Sequence, residues 1–233
     1  MLIEDLLIVF ALLVIFSLVS YYKKLLDFEG ILVGNVVGLA AISYAPKPVF
    51  AFFTVLVFFI VAEIASNFPI KKHETRNISN VVGNSLPALA SIILIVAYPE
   101  YAYFLELAFF GAMAAALADT LSHEIGYYSK NKTVLITTFE KVERGTDGGI
   151  TVLGEVAAFF GGLAIASVYY LAYQNIIVAI VIVLAGFVGS NVDSLAGAIL
   201  ERKKLLNNAQ VNLIGSSSGA IFAAIIVLIM GML

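Results

Sequence analysis

The chain has 233 residues, of which 61% are hydrophobic and only 12% charged. Soluble domains average roughly 45–50% apolar and about 25% charged residues, so this composition excludes a soluble domain and predicts an all-α, polytopic integral membrane protein. A net charge of −3 without a basic run argues against nucleic acid as a partner, and the absence of cysteine excludes disulfides, zinc–thiolate sites and iron–sulfur clusters.

A transmembrane helix takes about 20 apolar residues. Eight apolar runs follow one another, over roughly 6–22, 31–44, 49–66, 81–98, 101–124, 152–173, 176–200 and 213–233. The first follows Glu4 and Asp5 rather than a basic segment and has no small-residue cleavage site after it. It therefore reads as a retained span, not a signal peptide. The second and fourth are short or interrupted, by Asn35 and by Asn84 and Pro87. Either is a candidate for a broken or re-entrant helix, which survives at membrane depth only against protein or a wet cavity.

Two further patterns support eight spans. All but one of the 13 lysines and arginines lie in odd-numbered connections: Lys23 and Lys24; Lys71, Lys72 and Arg76; Lys130, Lys132, Lys141 and Arg144; Arg202, Lys203 and Lys204. Lys47, in the second connection, is the exception. The positive-inside rule then puts the odd connections in the cytoplasm and both termini outside, in a multi-pass protein of the cell membrane. All 11 tyrosines fall at or near predicted span ends, as interfacial anchors do. The chain reads as a single transmembrane domain. A weak echo between Asn80–Ser85 and Asn212–Ser217, each opening a span, raises a duplication of 1–100 and 101–233; such repeats also suit a transporter.

The polar residues within the spans fall in one layer. At about 1.5 Å per residue, Asp119 lies about 27 Å along the fifth span and Asp193 about 26 Å along the seventh, both near the cytoplasmic boundary. Asn80, Asn84, Asn212 and Ser216 sit at the inner starts of the fourth and eighth spans, and Gly145–Gly149 just before the sixth. A single layer argues for a surface-facing site, where a scatter through the bilayer would argue for a conduction path. Small neighbours let the helices bearing Asp119 and Asp193 approach. Two carboxylates left alone repel, and a divalent cation between them removes that cost; Mg2+ needs only one or two carboxylates with water and phosphate oxygens. The plainer alternative is two buried acids that hydrogen-bond neighbouring helices.

In Arg144-Gly145-Thr146-Asp147-Gly148-Gly149 the glycines let backbone N–H groups curl around an anion, the next helix start adds partial positive charge, and Arg144 pairs with phosphate. A plain loop with a helix cap has the same composition. His123, on the same helix face as Asp119, is a candidate proton carrier or an ordinary interfacial histidine. Glu155 is a candidate metal ligand or a favourable charge at a helix start. Glu63 and Glu106 lie away from the layer and read as packing or snorkelling residues.

At these residues the chain resembles the integral membrane family that includes the plant phytyl-phosphate kinase of vitamin E synthesis and its archaeal, bacterial and animal relatives. The resemblance rests on RNISNVVGNS (Arg76–Ser85), ADTLSHEIG (Ala118–Gly126), ITT with GTDGG (Ile136–Gly149), GFVGSNVDSLAGA (Gly186–Ala198) and NNAQVNLIGS (Asn207–Ser216), in that order along most of the chain. More distantly, the Asp-Thr then Gly-Thr pattern is similar to CTP-using dolichol and phytol kinases and CDP-diacylglycerol synthases.

The resemblance implies phosphoryl transfer from a nucleoside triphosphate, CTP with ATP as the alternative donor, to a prenyl monophosphate. Asp119 and Asp193 then hold Mg2+, and Gly145, Thr146, Gly148 and Gly149 cradle phosphate. The chain departs from the family pattern where Glu143 and Arg144 stand in place of prolines and Asp147 in place of Asn. Asp147 is thus either a third metal ligand or a tolerated change. The expected partners are the prenyl monophosphate, the nucleotide and membrane lipid, with a homo-oligomer left open. A CTP-dependent lipid nucleotidyltransferase and a secondary transporter are the competing readings.

Overall fold

The computed structural model describes residues 3–66 and 78–231. Among these, eight α-helices follow the eight apolar runs: α1 (Ile3–Lys23), α2 (Phe28–Tyr44), α3 (Pro48–Ser66), α4 (Ile78–Ala97), α5 (Ala102–Gly126), α6 (Val152–Tyr173), α7 (Ile176–Ala196) and α8 (Asn208–Ile229). Five helical stretches are long and apolar enough to cross a membrane: Pro48–Ser66, Pro99–Gly126, Val152–Tyr173, Ile176–Glu201 and Asn208–Ile229. Shorter apolar helical stretches run over Leu7–Lys23, Phe28–Tyr44 and Val81–Ala97.

The bundle is organised on α5, which packs against α3, α4, α6, α7 and α8. Its middle, Gly111–Ala118, is built of small residues with Met113 and Leu117, all of them buried. Small side chains let backbones come close, and close approach drives helix association where lipid offers no hydrophobic gain. A Cβ on Gly161 of α6 would lie 2.7 Å from the Cα of Ala118, and one on Gly186 of α7 would lie 3.1 Å from the Ala114 carbonyl.

The second and fourth runs form continuous helices among the described residues, so neither is broken or re-entrant there. Pro87 sits inside α4. Proline has no N–H to donate to the carbonyl four residues back, here that of Gly83. The Ser216 hydroxyl of α8 lies 3.1 Å from that carbonyl and 2.7 Å from the Asn212 carbonyl of its own helix, so its one proton is shared between them. The helix thus keeps its proline because its neighbour satisfies the freed oxygen.

Helix starts are capped as their sequences suggest. Thr151 Oγ1 accepts from the Gly154 N–H at 3.0 Å at the start of α6, and Asn207 with Gln210 forms a reciprocal box at the start of α8. Asp27 serves two helices: Oδ1 accepts from Gly30 of α2 at 2.7 Å and Oδ2 from Ile78 of α4 at 2.9 Å.

The fifth connection is a small antiparallel sheet rather than a plain charged loop. Its strands are β1 (Thr133–Leu135), β2 (Lys141–Val142) and β3 (Gly149–Ile150), in the order β2-β1-β3. Val134 pairs with Lys141 on one side and Ile150 on the other. Beyond α7 the chain winds into a π-helical turn, Gly197–Glu201. At the opposite end of the bundle, Glu106 of α5 is 1% exposed. It accepts from the Tyr173 hydroxyl and, at 3.1 Å, from the Lys47 N–H, which makes it a packing residue.

Candidate functional site

The ends of α5 and α7 and the starts of α4 and α8 meet the β-sheet connection around a polar cavity of about 330 Å³. Asp119 of α5 and Asp193 of α7 face each other there, and their carboxyl groups interact directly. Gly215 of α8 makes room for this pair: a Cβ at that position would lie 3.0 Å from Asp193 Oδ2. With its amide nitrogen turned toward the acceptors, Asn212 donates to Asp193 Oδ2 and to the Asn208 carbonyl, each at 3.2 Å. Asn84 lines the same cavity, and its Oδ1 is buried without a hydrogen-bond partner.

The glycine-rich turn forms one wall. Gly145 and Gly148 have φ of 84° and 73°, a region costly for any residue with a Cβ. The Thr146 N–H donates to the Glu143 carbonyl at 3.2 Å and the Gly149 N–H to the Thr146 carbonyl at 2.8 Å. Those two groups are therefore committed within the turn. As a cradle the turn has the N–H groups of Gly145, Asp147 and Gly148 left, and Gly148 packs against the π-turn at Gly197 and Ala198. Arg144 is fixed beside it: Nη2 donates to the Ser129 carbonyl at 2.6 Å, and the guanidinium stands 5.7 Å from the centre of the Tyr127 ring.

The cavity thus gathers Asp119, Asp193, His123, Asn84, Asn212, Asp147 and the whole Arg144–Gly149 turn from five separate segments. Two other sequence candidates lie elsewhere. Ser216 is buried against α4 with its hydroxyl on the Gly83 carbonyl. Glu155 accepts from Asn191 of α7 at 3.1 Å and does not line the cavity. The Asn80 side chain lies outside the described residues, as do Lys71, Lys72 and Arg76.

The cavity also contains residues that the sequence reading passed over, chiefly Glu201 of the π-turn, Glu124, Asn208, Thr120 and Ser122. Glu201 interacts electrostatically with Asp119, Asp193 and Asp147. In the sequence it looks like the acidic edge of an ordinary Arg-Lys-Lys flank, and only the π-turn brings it inward.

Charge decides what such a site can take. Asp119, Glu124, Asp147, Asp193 and Glu201 line it, against one guanidinium and one imidazole. A phosphate entering alone would meet net negative charge, so the cavity suits a cation, or an anion that arrives with one. Among the described residues no group of three or more His, Asp or Glu is arranged to hold an ion unaided. An ion that keeps water or phosphate oxygens, as Mg2+ does, needs only the aspartate pair and a neutral oxygen such as Asn84 Oδ1.

Fold and site together define a polytopic membrane protein with an acidic, glycine-walled cavity at one end of its helix bundle. The chain belongs to the integral membrane protein family DUF92, whose model matches residues 11–220. It is 34% identical over 221 residues to an uncharacterized membrane protein of Methanocaldococcus jannaschii, covering 91% of this chain and 90% of that one. It is 33% identical over 218 residues to an uncharacterized membrane protein of Synechocystis, covering 86% and 82%. The chloroplastic protein VTE6 of Arabidopsis thaliana is 29% identical over 189 residues, covering 74% of this chain and 57% of that protein. No solved structure matches the chain.

Proposed function

We propose that the chain is a membrane phosphotransferase that converts a prenyl monophosphate to the diphosphate, with CTP as donor and Mg2+ as cofactor, at the cytoplasmic face. The observation that carries this reading is the Asp119–Asp193 pair, contributed by two helices and brought together inside a cavity walled by the glycine-rich turn. The similarity to VTE6 and to the phytyl-phosphate kinase family supports the substrate class.

The acceptor's phosphate oxygen attacks the terminal phosphorus of the nucleotide, the bond from that phosphorus to the bridging oxygen breaks, and the nucleoside diphosphate leaves with the electron pair. A phosphate monoester has its second pKa near 6, so at neutral pH it is already mostly dianionic and needs no strong base. Positioning and charge neutralisation then account for most of the catalysis. Asp119, Asp193 and Asn84 Oδ1 would hold Mg2+, which when bound would neutralise phosphate charge. Asn212 holds the Asp193 carboxylate in place. The free N–H groups of Gly145 and Asp147, with Arg144, face the phosphates.

The test is the purified protein in liposomes with Mg2+ and each of the four nucleoside triphosphates, using geranylgeranyl and phytyl monophosphate. The expected product is the lipid diphosphate, fastest with CTP and absent in Asp119→Asn of unchanged melting temperature. No product with any nucleotide overturns the reading; a CDP-lipid of corresponding mass, with pyrophosphate released, replaces it by nucleotidyl transfer.

A further inference from the structure

We propose that an apolar slot among α1, α2, α3, α4 and α5 seats the first isoprene unit of the lipid, and that Asn84 marks the point where tail and headgroup meet. The inference rests on the prenyl monophosphate reading and adds where the tail lies. The slot is lined by Phe16, Gly34, Phe52, Val55, Phe59 and Met113, and Asn84 lines both it and the polar cavity. It holds about 70 Å³. A slot this small takes the part of the tail next to the headgroup and not the whole tail. The glycines keep it narrow and open: a Cβ on Gly34 would lie 2.9 Å from Phe16 Cζ, and one on Gly38 would lie 3.3 Å from Phe52 Cε2.

Two independent features thus coincide at one residue. The slot offers apolar walls with no charged side chain, and it runs up to a buried amide oxygen that lacks a partner on the edge of an acidic cavity. An amphiphile with a short rigid apolar stem and a phosphate head that arrives with a divalent cation matches both sides of that boundary. Carbons beyond the first unit lie in the bilayer, where lipid tails are as apolar as protein and binding gains little from them. Selectivity therefore acts on the stem and not on total chain length.

The experiment is photolabelling of the wild-type protein in liposomes, with Mg2+ and no nucleotide, by geranyl monophosphate carrying a diazirine in its first isoprene unit, read by peptide mass spectrometry. Labels are expected on α3 and α5 at Val55, Phe59 or Met113, displaced by unlabelled geranyl and geranylgeranyl monophosphate with half-effects within about threefold of each other. Labels confined to residues that do not line the slot, or a displacement constant that falls more than about tenfold with the longer tail, overturn the slot. Val55→Trp, which fills the slot from α3, is expected to abolish the labels at Phe59 and Met113; labels that persist there in a variant of unchanged melting temperature overturn it as well. Labelling needs no turnover, so the two ideas fail separately. Slot labels without any kinase product keep the slot and remove the reaction, and product with labels elsewhere does the reverse.

Discussion

At the residue scale the aspartate pair acts as a unit, since the two carboxyl groups interact directly. Asp119→Asn and Asp193→Asn should each lower turnover by about 100-fold or more, the size of effect seen when one charge-stabilising group is removed from an active site. The double variant should be scarcely worse than either, because members of one catalytic unit are far from additive. Initial rates across a Mg2+ titration check both points. His123 lines the cavity, yet the acceptor needs little help in losing a proton. His123→Ala should therefore cost less than about tenfold, where an essential general base would cost about 10²–10⁴. Both aspartates were legible in the sequence because a carboxylate inside an apolar run is expensive. Glu155 and Ser216 were equally visible but do not line the cavity. Their helices are apolar on nearly every side, so periodicity held no information on which way each polar residue points.

At the element scale, Pro87 and Ser216 form one device across α4 and α8. Ser216→Ala leaves the Gly83 carbonyl buried without its outside donor, an expected cost of about 1–3 kcal/mol. In a Pro87→Ala background residue 87 regains an N–H for that carbonyl, so the same serine change should cost much less. Melting temperatures of the two single variants and the double, in one detergent, close the cycle. Gly215→Ala is a sharper probe of the site, because the added methyl would meet Asp193 at 2.8–3.0 Å. It should reduce activity more than stability, overpacking of a tight contact costing about 1–3 kcal/mol. The helices themselves could be read from hydropathy, to within a few residues at their ends. The strands of the fifth connection could not, being two or three residues long and below any window in which alternation shows. The π-turn left no composition signal, which is why Glu201 was missed.

At the scale of the whole molecule, the sequence carried the order of the spans and the layer in which the polar residues meet, while the central place of α5 was only hinted at by its run of small residues. Sidedness rests on charge: Lys130, Lys132, Lys141, Arg144, Arg202, Lys203 and Lys204 all stand in connections at the cavity end. Lys47 lies at the other end, with its N–H on Glu106. If the positive-inside rule holds here, the cavity opens to the cytoplasm, where nucleoside triphosphates are abundant. The chain contains no cysteine, so single cysteines report without background. Asn131→Cys stands in the β-sheet connection and Glu100→Cys in the turn between α4 and α5, both at exposed positions. In intact cells a membrane-impermeant maleimide should label Glu100→Cys and spare Asn131→Cys, with the pattern reversed in inside-out vesicles. The opposite result would place the acidic cavity on the face that lacks nucleotide, and a kinase that draws on cytoplasmic CTP would then have no access to its donor.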